Sequence, residues 1–531
     1  MRKIIVVLMC LFYGFSAPAF ANEKLIQQLD TLVKNNDVDG VENLVEKIDV
    51  DFSNPLQERN KELRKIFSEF MTTRPDYVSL MANWSKDKPN SIYAKTAKGW
   101  HLYHVAWLIR GETTANEIYS KAADQMRDYF QASATIAYEV TTANSNFAPA
   151  SDLALLSSQH AYFPISKRTL TNTALISSRD THTLSLVLRL YAPKWGGGLR
   201  KQKALCKKYE DILIKQDGYT ADMCFAELVI SDSMFNNQKG LTEEMIIWAY
   251  EIMEKAPKDK MLDARWADAV YIRPDLDGAL ELAAELLPSK SRNYPILARQ
   301  IEVELSKEGF AVDYAKTKRT ELQDRFERDP FNPDLLERMI SHTYGDYQKT
   351  RSPQTYALYE KYIDDAMVYG KYRPKIWISK ANPYSEKLFE AEFDEALIRA
   401  LIQNWEKAIK YSNYSPEYLA NFHGVLSFPK SVMDMRMQFA QMGIRLPNGT
   451  PEIDIKAIRK LINCPMVRVA RLNELICNAK SYSSQCKSSE HPLNWSKVAL
   501  KEAREKKICP ARLIDTEESL FVDSEEWQKK L

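Results

Sequence analysis

Apolar residues recur at helix-face spacing along nearly the whole chain, and that periodicity restricts the fold to packed helices. Met245, Ala249, Ile252, Met253 and Ala256 share one face, and Leu276, Ala279, Leu280, Ala283 and Leu287 another. Tyr356, Tyr359, Tyr362, Ile363 and Ala366 make a third. The longest run is Phe389, Phe393, Leu397, Ala400, Leu401, Trp405 and Ala408. Period-two runs bounded by turn residues, the mark of strands, are scarce. Glycine is scarce as well. There are 16 in 531 residues, about 3% against a usual level of about 7%, which disfavours sheet-rich folds and glycine-lined nucleotide loops. The expected class is all-α.

The helices are short and punctuated. Gly40, Gly111, Gly218 and Gly240 suit helix stops, and Pro257, Pro274, Pro288, Pro330, Pro374 and Pro416 suit breaks. Pro288, Pro330, Pro374 and Pro416 stand 42, 44 and 42 residues apart, within the roughly 34–47 residues of helix-pair repeats. Trp266 precedes Ala269, and Trp405 precedes Ala408, by three residues. Such a step lets an alanine admit a neighbouring helix while the aromatic fills the gap. The pattern resembles degenerate tetratricopeptide-type repeats, without meeting their full consensus. It implies an irregular α-solenoid of tetratricopeptide-like helix pairs. The expected division is an amino-terminal helical domain over 22–200, a helical-repeat region over 201–430 and a small cysteine-containing module over 431–531.

The first 21 residues read as a secretory signal. Arg2 and Lys3 precede the apolar stretch Ile4 to Phe15, and Ala19-Phe20-Ala21 is a small-x-small cleavage site. Lipidation at Cys10 is the weaker alternative, since Met9 suits it poorly. Cleavage near Ala21 predicts a periplasmic or secreted protein starting at Asn22. No later apolar stretch approaches the roughly 18 residues of a membrane span. Losing Arg2 and Lys3 brings 73 basic residues to 71, equal to the 71 acidic ones. Nucleic-acid binding calls for a basic excess, so that class is set aside.

Seven cysteines become six once Cys10 is lost. An even number in an exported chain predicts disulfides among Cys206, Cys224, Cys464, Cys477, Cys486 and Cys509. The simplest pairing joins Cys206 to Cys224, with two bridges in the terminal cluster. One difficulty attends the first pair. A helical hairpin turning at Asp217-Gly218 offsets the two cysteines by roughly 9 Å. No Cys-x-x-Cys pair supports a metal.

No catalytic residues stand out. Gly-x-Ser-x-Gly, His-Glu-x-x-His, Walker A and Gly-x-Gly-x-x-Gly are all missing. His101 and His104 share a helix face but are only two ligands, and aromatic packing accounts for them better. Asn35 to Glu46 partly follows a calcium-loop spacing. Asn35 at its first position and Glu42 at its eighth argue instead for a turn with an Asp cap. Trp195-Gly196-Gly197-Gly198, followed by Arg200 and Lys201, is the one glycine cluster. It suits either an anion nest at a helix start or a tight packing loop, with the loop favoured.

Trp84, Gly99-Trp100-His101, Trp107-x-x-Arg110-Gly111 and Pro193-Lys194-Trp195-Gly196-Gly197 follow one another over roughly residues 60–200. This order resembles an uncharacterised bacterial family, domain-of-unknown-function family 4034. The resemblance implies a helical, repeat-like bacterial protein and carries over no catalytic residue. The combined expectation is an exported scaffold for a protein or peptide partner, without cofactor or metal. Alternatives are an envelope hydrolase acting on glycan or peptide through unidentified carboxylates, and a small-anion binder.

Overall fold

Every regular element among the described residues is an α-helix. The computed structural model describes residues 17–442 except 52, 54, 112–117, 145, 162–164, 179, 193–196, 236–240, 258–260, 262–321, 390–394 and 414, with scattered positions between 462 and 505. The faces expected from Leu276 to Leu287, the Trp266 step, Pro274 and Pro288 lie outside these residues.

The chain divides into two compact units, Met1–Ala106 with Arg127–Asp329 and Trp107–Met126 with Pro330–Leu531. In the first, the helices are α1 (Ala17–Lys34), α2 (Val38–Asp49), α3 (Leu56–Glu69), α4 (Pro75–Asp87) and most of α5 (Ile92–Arg110). After the insertion come α6 (Ser120–Ala143), which starts in the second unit, α7 (Ala148–Ser158), α8 (Lys167–Ser178) and α9 (Thr181–Leu190). Then come α10 (Leu199–Lys208), α11 (Glu210–Asp217), α12 (Ala221–Phe235) and α13 (Glu243–Met253), and residues 322–328 are helical as well. One core of Leu63, Phe67, Phe70, Trp84, Phe147 and Leu153, all fully buried, joins the early helices. Phe67 meets Phe147 edge to face at 5.4 Å, the arrangement the ring quadrupoles favour.

Cys206 on α10 is bonded to Cys224 on α12, with Cα atoms 5.9 Å apart. The hairpin offset does not arise because the segment is not a hairpin. At Tyr209 the backbone leaves the helical region (φ −113°, ψ 23°), and the short α11 forms a third leg. Gly218, in the left-handed region at φ 62°, ends α11 and turns the chain into α12. The other four cysteines lie outside the described residues.

The second unit shows the repeat most plainly. Its helices are α14 (Pro333–Thr350), α15 (Pro353–Gly370), α16 (Pro374–Phe389), α17 (Glu395–Tyr411) and α18 (Pro416–Gln441). α14 packs on α15 and α16 on α17 as pairs, while α14, α16 and α18 lie side by side. Proline opens α14, α15, α16 and α18, where its missing N–H costs nothing and its φ suits a helix. Asn332 and Ser352 cap α14 and α15 with their side-chain oxygens. The spacing expected from Pro330 belongs to Pro333: Pro333, Pro374 and Pro416 stand 41 and 42 residues apart. That period is longer than the 34 residues of a tetratricopeptide repeat. The run expected from Phe389 through Ala408 splits. α16 ends at Phe389, and α17 buries Ile398, Leu401, Trp405, Ala408 and Ile409. Trp405 stacks on Phe422 of α18 at 5.5 Å, filling the gap beside the fully buried Ala408.

Pro383 lies inside α16. It has no N–H to give the carbonyl of Ser379, four residues earlier. The hydroxyl of Tyr359, from α15, donates to that carbonyl instead. Tyr359 is 1% exposed, so the donor side of the bond is buried. Replacing Tyr359 with Phe is expected to cost about 1–3 kcal/mol, the range for orphaning a buried acceptor. Urea unfolding of the two proteins measures it, and a loss below about 0.5 kcal/mol rejects the pairing.

Candidate functional site

Within the second unit, α14 and α16 leave a groove of about 530 Å³ between them. α14 brings Asp334, Glu337 and Arg338, one turn before Ser341 and His342. α16 brings Lys375, Ile378 and Ser379. The spacings of three and four place these residues on one face of each helix. Arg338, His342 and Lys375 are exposed, so the groove is open to solvent.

The charges in the groove are not equivalent. Arg373, 9% exposed, sits just before α16. It donates to Asp334 through both terminal nitrogens and to the carbonyl of Leu108 at 2.6 Å. It also reaches Glu337 at 3.5 Å. Asp334 is thereby neutralised within the fold. Burial pushes the Glu337 carboxyl above the usual range, an effect that Arg373 and Lys375 oppose. Arg338 and Lys375 form no ion pair among the described residues.

The residues of the family-like motif do something different. Trp84 is fully buried, and its indole N–H donates to Glu42. Gly99 faces Leu153 so closely that a Cβ would come within 2.7 Å of it, and its carbonyl accepts from Ser133 at 2.8 Å. His101 meets the carbonyl of Thr72 through Nδ1 at 3.0 Å. Arg110 lies over the Trp107 ring at 4.7 Å. Gly111, left-handed at φ 67°, ends α5 against the guanidinium of Arg373. Each serves packing or helix termination. Residues 26–159 match the family DUF4034, a domain of unknown function. No curated protein matches the chain.

The DUF4034 match begins earlier than the resemblance and ends before it. It takes in α2 to α7 and leaves out Pro193 to Gly197 and the α14/α16 groove. Inside the DUF4034 region the two histidines part company. His104 Nε2 meets Asp329 at 2.9 Å, while His101 turns to Thr72, and burial holds the His101 imidazole below its ordinary pKa. The Asn35–Glu46 segment is a capped turn. Asp37 accepts from Gly40 N–H at 2.8 Å, Asp39 pairs with Lys88 at 2.7 Å, and Glu42 turns away to Trp84 and Ser91.

Two carboxylates do converge in the first unit. Asp152 on α7 and Asp180 at the start of α9 both bind Arg64 of α3, each at 2.6 Å. Thr183 donates to Asp152 through its hydroxyl at 2.6 Å and to Asp180 through its N–H at 2.8 Å. Asn60 adds a bond to Asp180 at 2.8 Å. With Asp152 and Asp180 only 1% and 2% exposed, this cluster is bonded on every side and ties three helices together.

Of the glycine cluster, Trp195 and Gly196 lie outside the described residues. The N–H groups of Gly197 and Gly198 do not point into an open nest. They donate to the carbonyls of Ala192 at 3.2 Å and Tyr191 at 2.9 Å. A Cβ on Gly197 would fall 1.8 Å from the Tyr191 carbonyl oxygen, so the loop and the end of α9 touch backbone to backbone. Arg200 is exposed beside it, and Lys201 extends over the Tyr191 ring at 5.8 Å.

Sequence reasoning missed the groove residues. Arg338 and Lys375 lie 37 positions apart, and only the packing of α14 beside α16 brings them together. The near-even spacing of Pro330, Pro374 and Pro416 was the available sign that such neighbours exist.

Proposed function

We propose that this chain is an exported helical-repeat protein that binds a protein or peptide partner, with the α14/α16 groove as its seat. The observation that carries the reading is the groove itself: an open channel between side-by-side helices of successive pairs. Beside the engaged Asp334 and Glu337 it is lined by the exposed side chains of Arg338, Ser341, His342 and Lys375. Stacked helix pairs present extended surfaces of this kind to other chains, and a groove of several hundred cubic ångströms suits a few peptide residues. Export is supported by the amino-terminal pattern and by the Cys206–Cys224 bond, since disulfides persist in oxidising compartments. Among the described residues, no helix is long and apolar enough to cross a membrane.

A displayed library of random heptapeptides, panned on the purified protein, tests the reading. Enriched peptides are expected to lose at least tenfold in affinity against Ser341→Trp, which fills the groove from an exposed position on α14. No enrichment, or binding indifferent to that substitution, rejects the groove as the seat.

A further inference from the structure

We infer that the α14/α16 groove selects an acidic peptide segment, its carboxylates held by Arg338 and Lys375. The inference rests on the peptide-binding reading above and names the chemistry of the ligand. Three basic side chains, Arg338, Arg373 and Lys375, stand around two acidic ones, Asp334 and Glu337. The acids also line the groove but are half-buried and engaged: Asp334 is held by Arg373, and Glu337 is within reach of the same guanidinium. The bases that remain, Arg338 and Lys375, are exposed and come from opposite walls. A ligand lying between the walls therefore meets positive charge first.

The donor chemistry agrees. Arginine presents a planar fork that matches a carboxylate with two parallel hydrogen bonds. Lysine adds a mobile ammonium on the facing helix. Ser341, Ser379 and His342 supply further polar groups along the same floor and rim. Ile378 gives an apolar strip for a side chain or backbone stem between the acids. The space is far larger than one inorganic oxyanion fills, which favours a segment of chain over a free ion. Exposed cations also predict salt sensitivity, because such attractions are screened within about 10 Å at 0.1 M salt.

Fluorescence anisotropy with labelled hexaglutamate, hexaglutamine and hexalysine on the full chain tests this. Hexaglutamate is expected to bind at least tenfold more tightly than either of the others. Binding should weaken at least tenfold in Arg338→Ala/Lys375→Ala, and fall as salt rises from 50 to 500 mM. Both substitutions are at exposed sites, so an unchanged melting temperature serves as the folding control. Hexaglutamine binding as tightly as hexaglutamate, with both lost in Ser341→Trp, overturns the acidic preference and leaves the peptide groove standing. Hexaglutamate binding that survives Arg338→Ala/Lys375→Ala overturns the assignment of these two residues. Inorganic phosphate raising the melting temperature while no hexapeptide binds marks a free-oxyanion site and overturns the inference. No binding by any probe, together with no enrichment from the random library, removes both readings.

Discussion

Arg64→Met is expected to destabilise the first unit by about 3–5 kcal/mol, the cost of breaking a buried ion pair from one side. The reason lies in what it leaves behind. Asp152 and Asp180 are 1% and 2% exposed, and among the described residues each takes its one salt-bridge bond shorter than 3 Å from Arg64. Methionine fills much of the volume but offers neither carboxylate a proton. Two buried charges would then remain among α3, α7 and α9, with Thr183, Asn60 and, at 3.8 Å, His182 as their neighbours among the described residues. Urea unfolding followed by circular dichroism measures the loss. The combination Arg64→Met, Asp152→Asn and Asp180→Asn should recover a good part of it, because the stranded charges go with the arginine. A single substitution costing under about 1 kcal/mol shows that water reaches the cluster and that the node is not structural.

Gly197→Val is expected to cost about 3 kcal/mol or more, at the top of the range for overpacking. Here the obstacle is space rather than backbone conformation. Any Cβ at this position lands 1.8 Å from the carbonyl oxygen of Tyr191 and 2.3 Å from its carbon. Those atoms are backbone at the end of α9, and they cannot rotate away as a side chain would. The same carbonyl accepts the Gly198 N–H, so displacing it breaks the closure that positions α10 and Cys206. Gly197→Ala should show most of the effect. Arg200→Ala with Lys201→Ala should stay within about 0.5 kcal/mol, as surface substitutions usually do. Thermal melts with and without millimolar phosphate or sulfate complete the comparison. A tolerated Gly197→Val, or an anion that raises the melting temperature only while Arg200 and Lys201 are present, would return this loop to the role of a ligand nest.

Particular residues show how far sequence reaches here. Tyr359, Tyr362, Ile363 and Ala366 are the buried stripe of α15, as their spacing predicts, because a helix buries one face whatever it packs against. Asp37 caps α2 because a cap is made by residues three apart in one chain. Pairing Cys206 with Cys224 was a matter of parity and proximity, but its geometry was not. A straight hairpin forbids it, and the break at Tyr209 that permits it has no strong local signal. The repeat was visible through Pro374 and Pro416, yet anchored on Pro330 rather than Pro333, since both prolines suit a helix start and only packing distinguishes them.

What the sequence by itself determined is therefore the local chemistry: all-helical structure, its caps and breaks, a helix-pair period near 42 residues and the Cys206–Cys224 pairing. These depend on interactions within a few turns of one chain, where spacing and residue type suffice. Only the tertiary structure decided that Trp107–Met126 joins the unit formed from Pro330 onward. It alone set Arg64 between Asp152 and Asp180, sent the Tyr359 hydroxyl to the carbonyl that Pro383 leaves open, and placed Arg338 opposite Lys375. Each of these joins groups far apart in the chain. They follow from which elements pack together, and no periodicity along the sequence records which distant partner a side chain will meet.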